Sequence, residues 1–153
     1  MQHFIGTYEC KADSKGRIML PVALKKQMNE LLNDGFVIKR AVFNACLELY
    51  PIKQWEELMA KVNQLNRFNK KNNDFIRRFT AGVRIVEVDA TGRFLIPKDL
   101  MQHAGIERET VVSSAVNILE IWDKNRYEAA IDEATLDFGA LAEEVMGDQN
   151  EQN

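Results

Sequence analysis

The sequence predicts an α+β fold made of two tandem β-rich repeats, each with a short helix and a closing helix. Three observations point to it. A nonapeptide is spelled nearly twice, as "DSKGRIMLP" at residues 13–21 and "DATGRFLIP" at 89–97. The likeness extends outward. At an offset of 76 residues, Gly6, Asp13, Gly16, Arg17, Pro21 and Leu24 meet Gly82, Asp89, Gly92, Arg93, Pro97 and Leu100. At an offset of 72, "LELYPIKQWEEL" from Leu47 meets "LEIWDKNRYEAA" from Leu119. Self-similarity on this scale means two equivalent supersecondary units. Finally, 46% hydrophobic and 28% charged residues over 153 positions suit one compact body, or two small halves, with a buried core.

The chain divides into a first repeat at 1–66, a basic helical link at 67–81, a second repeat at 82–134 and an acidic tail at 135–153. Each repeat opens on a strand, "TYECKA" or "RIVEV", rich in β-branched, aromatic and apolar residues. Asp-x-x-Gly-Arg follows as a turn. Asp13 and Asp89 supply carboxylates that accept backbone N–H bonds, and Gly16 and Gly92 supply the positive φ that a tight hairpin requires. "RIMLP" and "RFLIP" resume the strand, and Pro21 and Pro97 fit the first helical position, where a missing N–H costs nothing. Helices are expected through "VALKKQMNELL" and "KDLMQHA", the second stopped by Gly105. Strand pairs come next, "GFVIKRAVFN" with "CLELYP" and "TVVSSAVN" with "ILEIWD".

A helix closes each repeat. Ile52, Trp55, Leu58, Met59, Val62 and Leu65 recur at three and four residues, a stripe expected to belong to the core. The second closing helix, "KNRYEAAIDEATL", has a shorter apolar face. In the link, Asp74 is the expected N-cap of a helix carrying Phe75, Ile76 and Phe79 inward and a basic face outward, either simply solvated or touching phosphates. A weak helix, "FGALAEEVM", precedes the polar end, with Leu136, Phe138, Leu141 and Val145 as candidates for packing.

Composition narrows the function. No apolar run approaches the roughly 20 residues of a spanning helix, and "MQHFIGTYECK" lacks a signal-peptide pattern, so a cytoplasmic protein without a membrane partner is expected. Cys10 and Cys46 are compatible with one disulfide, but in such a chain two cysteines more often stay reduced. His3 and His103 join no zinc-binding spacing, so no metal or other cofactor is expected. Nucleophile–base constellations, phosphate-binding loops and dinucleotide fingerprints are missing, which argues against an enzyme.

The net charge of -3 conceals an asymmetry. Eight of the 23 acidic residues lie within 127–153, which has no Lys or Arg, so residues 1–126 carry 20 basic against 15 acidic side chains, a net of +5. A basic body of this kind suits a polyanion, and the acidic tail suits a competitor for the same surface. An ion pair across the turn explains Asp13 and Asp89 but not why Lys15, Arg17 and Arg93 recur there, since exposed pairs contribute only about 0 to 1 kcal/mol. Basic side chains at a turn reach phosphates and base edges, as β-ribbon readers do.

The duplicated "DSKGR" and "DATGR", the Phe4-x-Gly6 start, "LELYP" followed by Trp55 and "LEIWD" followed by Tyr127 resemble the MraZ family, bacterial transcription regulators associated with the division and cell-wall gene cluster. The resemblance covers residue 4 to about residue 131. It implies a pseudo-two-fold swapped-hairpin β-barrel of the AbrB-like kind, each repeat supplying one of two interlocked units. It also implies a ring-shaped homo-oligomer that occupies direct repeats in promoter double-stranded DNA, and so a nucleoid-associated protein. Lys15 and Arg17 fall on the family's DNA-contacting motif, and Arg93 on its counterpart, where Thr91 replaces Lys15. That replacement suggests that the first loop contributes more. Lys25 keeps a family charge after Pro21, whereas Met101 loses it after Pro97. The alternative is a protein-interaction ring whose DNA affinity is incidental. An enzyme of barrel type would instead require a substrate-sized pocket with perturbed titrating groups.

Overall fold

The computed structural model describes residues 3–135 and 137–147. The first repeat runs β1 (Thr7–Lys11), β2 (Arg17–Met19), α1 (Val22–Gln27), β3 (Phe36–Arg40), β4 (Leu47–Pro51) and α2 (Ile52–Val62). The link is α3 (Lys70–Phe79). The second repeat runs β5 (Arg84–Val86), β6 (Arg93–Leu95), α4 (Lys98–Ala104), β7 (Glu109–Ala115), β8 (Ile118–Asp123) and α5 (Lys124–Thr135). Beyond it lie α6 (Phe138–Ala142) and a π-helical turn over Glu143–Gly147.

The repeats are interlocked. The larger sheet has the order β1-β7-β8-β4-β3-β5, every pair antiparallel, and β2 pairs with β6 in a separate two-stranded ladder. Each repeat therefore places its first strand on the other's hairpin, β1 on β7 and β5 on β3. The order reads the same from either edge once the repeats are exchanged. Equivalent residues face each other where the repeats meet, Ile18 opposite Phe94 and Glu48 opposite Glu120, and these positions mark a pseudo-two-fold axis. Within a repeat only the β3–β4 or β7–β8 hairpin pairs, and every other ladder crosses between repeats.

Alternation sets the core. Ile18 and Phe94 point inward from the small ladder, while Met19 and Leu95 face out. Leu47, Leu49, Leu119 and Ile121 bury one face of the central strands, and Leu24 and Leu100 fill the same core from α1 and α4. Complete burial of such a side chain stabilises by about 1.5–3 kcal/mol. A smaller cluster joins Cys46, Val111 and Trp122, with Tyr127 edge-on to Trp122.

Several elements differ from the sequence expectation. The Asp-x-x-Gly-Arg turns close locally, but the strands on either side part company, β1 joining the large sheet and β2 the small ladder. Pro21 and Pro97 sit at the N-cap, one position earlier than expected, in extended backbone whose carbonyls accept from Lys25 and Met101 N–H. The first short helix ends at Gln27, and a 3-10 turn over Leu32–Asp34 completes the connection. Gly105 stops α4 in the left-handed conformation, as its position predicts.

Asp74 does not cap α3. Asn69 does, accepting from Lys71 and Asn72 N–H, while Asp74 lies inside the helix and pairs with Lys70 at 2.8 Å and Arg77 at 3.2 Å. Phe75 is exposed instead of turned inward. The stripe along α2 does fall on one face, yet every one of its six residues is only half-buried, so it flanks the core instead of belonging to it. Phe138, Leu141 and Val145 are exposed, and Leu136 lies outside the described residues.

Candidate nucleic-acid interface

The two repeated turns are built alike. Asp13 Oδ1 accepts from Lys15 N–H and Arg17 N–H, both at 2.9 Å, and its Oδ2 accepts from Arg17 Nε at 2.7 Å. Gly16, at φ +89°, donates its N–H to Asp13 O at 3.0 Å. In the second turn Asp89 Oδ1 accepts from Thr91 N–H at 2.9 Å, Thr91 hydroxyl at 2.7 Å and Arg93 N–H at 3.0 Å. Arg93 Nε reaches Thr91 Oγ1 at 3.1 Å and Asp89 Oδ2 at 3.4 Å. Gly92, at φ +90°, repeats the glycine role.

These bonds depress both carboxyls. Arg17 N–H, together with its guanidinium and Lys15 N–H, takes Asp13 down to about 2 despite some desolvation. The Thr91 hydroxyl leads the same effect at Asp89, also to about 2. Each Asp thus stays ionised and meets its Arg at Nε, by a hydrogen bond at Arg17 and at 3.4 Å at Arg93.

The ladder between the turns locks them together. Leu20 N–H donates to Gly92 O at 2.8 Å, and Ile96 N–H donates to Gly16 O at 2.9 Å, so each turn is tied to the other repeat's strand. Arg17 lies opposite Leu95, and Arg93 opposite Met19. Since alternate residues share a face, Arg17, Met19, Arg93 and Leu95 all stand on the outer side of the ladder, the two arginines on a diagonal of about 7–8 Å.

The helices add a crossed contact. A Cβ on Gly92 would lie 3.3–3.5 Å from the Lys25 side chain, and one on Gly16 would lie 2.5 Å from Met101 Sδ. The first repeat's helix therefore covers the second repeat's turn, and the reverse. All the sequence-predicted residues gather here: Lys15, Arg17 and Arg93 with their turn residues Asp13, Gly16, Asp89 and Gly92, and Lys25 across the repeat boundary. The placement of Lys25 against the second turn is the part the sequence did not reveal. A 76-residue offset aligns it with Met101 but says nothing of which turn either covers.

Cys10 and Cys46 are free thiols, pushed by burial up to about 11 and about 12. Among the described residues no three His, Cys, Asp or Glu side chains are grouped to hold a metal ion. Among the described residues no helix is long and apolar enough to cross a membrane.

The two interlocked repeats thus carry matching Asp-x-x-Gly-Arg turns, with Arg17 and Arg93 on one outer face. Comparison with protein families matches residues 3–78 and 79–148, in two copies, to the family described as "MraZ protein, putative antitoxin-like". The transcriptional regulator MraZ of Flavobacterium psychrophilum is 65% identical over 151 residues, covering 99% of this chain and 96% of that protein. That of Christiangramia forsetii is 64% identical, covering 98% and 97%, and that of Bacteroides thetaiotaomicron 36% identical, covering 100% and 98%. The chain belongs to the MraZ family, a family of regulators and not of enzymes.

Proposed function

We propose that the protein is a sequence-specific DNA-binding regulator that reads promoter direct repeats with Arg17 and Arg93, assisted by Lys15 and Lys25. The observation that carries this reading is the common outer face of Arg17 and Arg93 on one ladder, each arginine oriented by an ionised Asp. Arginine terminal nitrogens suit guanine O6 and N7 in the major groove, and lysines suit phosphates. In this reading 1–66 and 82–134 are the working halves, 67–81 their basic link and 135–153 an acidic tail that competes with DNA. The strand exchange between repeats is the swapped-hairpin arrangement, closing into a barrel around the Ile18–Phe94 ladder.

A ring of head-to-tail copies, acting on the division and cell-wall gene cluster in the nucleoid, would place one such face on each direct repeat. The half-buried stripe of α2 supports self-association, as do Phe43 at 94% and Phe68 at 101% exposure. Fluorescence anisotropy on the duplex upstream of the protein's own gene, against a shuffled duplex over a salt series, tests the reading. Preference for the native duplex with a log-log slope near -0.9 per phosphate neutralised supports it. Absence of DNA affinity at low salt favours the protein-interaction ring.

A further inference from the structure

Away from the turns, a cavity of about 620 Å³ lies between the end of β3 and α3. Its volume falls within the range of small-molecule sites. Lys39, Arg40, Lys71, Arg78 and His103 line it, with Phe75 and Phe79 as its aromatic wall. Its one carboxylate, Asp74, is already taken by Lys70 and Arg77. Lys39 is occupied as well, its Nζ 3.6 Å from Glu48 and 4.2 Å from the centre of the Phe79 ring. Among the described residues Arg40, Lys71 and Arg78 have no carboxylate within ion-pair distance.

Two lining nitrogens are orphaned. Arg40 Nε and His103 Nε2 are buried and have no hydrogen-bond partner among the described residues. Buried polar atoms left this way destabilise the fold, so they mark either strain or a site made for a ligand. Gly82 shapes the place: at φ +79° it has no Cβ, and one built there would stand 3.4 Å from Arg40 Nε. Burial first, and then the guanidiniums of Arg40 and Arg126, hold the His103 imidazole below its ordinary pKa, which agrees with uncompensated positive charge around it.

The geometry points to a site for a small phosphate-bearing ligand with an aromatic group, a nucleoside phosphate, bound by Arg40, Arg78, Lys71 and His103. The phosphates meet the cations, and the base lies against Phe75, which is 46% exposed and stacked on Phe79 at 5.2 Å between ring centres. Both orphaned nitrogens are recessed. A duplex phosphate, held at the surface by its neighbours, reaches them less well than a free phosphate ester does. This site is separate from the proposed DNA-reading turns and stands whether or not they read DNA.

Isothermal titration of the full-length protein with ATP at constant ionic strength tests the assignment. Saturable binding is expected, weakened at least fivefold by Arg40→Gln and by Arg78→Gln, and at least threefold by Phe75→Ala. Arg78 and Phe75 are exposed, so these two variants should fold, and circular dichroism checks all three. Arg17→Ala is expected to leave ATP affinity unchanged. No saturable binding, unaltered affinity in Arg78→Gln, or an equal loss in Arg17→Ala would overturn the site. So would a loss of duplex affinity in Arg78→Gln as large as in Arg17→Ala, since the cavity would then belong to a DNA contact.

Discussion

Lys25 on α1 packs against Gly92 in the turn of the opposite repeat, its Nζ 3.5 Å from where a Cβ on that glycine would stand. The second turn has Thr91 where the first has Lys15, and this contact returns a cation to it. The two turns are therefore more evenly charged than their own sequences suggest.

In the proposed role Lys25 attracts phosphates without reading bases. Lys25→Met, which copies the Met101 arrangement, should weaken binding equally on native and shuffled duplexes. The salt slope should fall by about one. Anisotropy over a salt series measures both quantities, and a loss confined to the native duplex would show that Lys25 reads sequence.

The two turn glycines should not be equally replaceable. Both hold φ near +90°, so alanine is strained at either. At Gly16 the new Cβ would also meet Ile96 O at 2.9 Å, backbone that is pinned by the ladder, whereas at Gly92 its nearest contact is the flexible Lys25 stem at 3.3 Å. Urea unfolding should show Gly16→Ala costing about 2–3 kcal/mol and Gly92→Ala about 1–2 kcal/mol.

Asp13 and Asp89 set an acid limit for the turns. Their folded pKa values, about 2, lie below an unfolded value of about 4, so the stabilisation is complete above pH 4 and is lost as the pH falls toward 2. Carboxyl chemical shifts followed by NMR should titrate with midpoints near 2. Midpoints near 4 would mean that the Arg N–H bonds do not form in solution.

Lys39 is an internal charge whose partner is Glu48, with side-chain exposures of 1% and 17%. Burial lowers the ammonium's pKa and Glu48 opposes that shift. Lys39→Ala should destabilise by about 3–5 kcal/mol, because it leaves Glu48 facing Glu120 across the central strands without a cation. Lys39→Met combined with Glu48→Gln should recover most of that loss in urea unfolding.

Repeats, turns and most elements were legible because they rest on local chemistry. Asp13, Gly16 and Arg17 act within five residues, and the spacing shows it. Strand exchange was not readable from periodicity, since β1 pairs equally well in pattern with its own β2 or with β7; only the family resemblance suggested it. The α2 stripe shows the same limit. Its period gives the face but not whether the chain itself covers that face. Asp74 misled because Asp is as good a cap as Asn69, and the helix begins one turn earlier. The cavity around Arg40 and His103 had no signal, as its residues lie up to 64 positions apart.

The most direct test of the central claim compares wild type and Arg17→Ala on the duplex upstream of the protein's own gene, with circular dichroism confirming the fold. Arg17→Ala is expected to lose about 5- to 150-fold in affinity per site on that duplex, from about 1–3 kcal/mol of lost base contact, and much less on a shuffled one. A folded Arg17→Ala protein that binds the native duplex as tightly as wild type would contradict it.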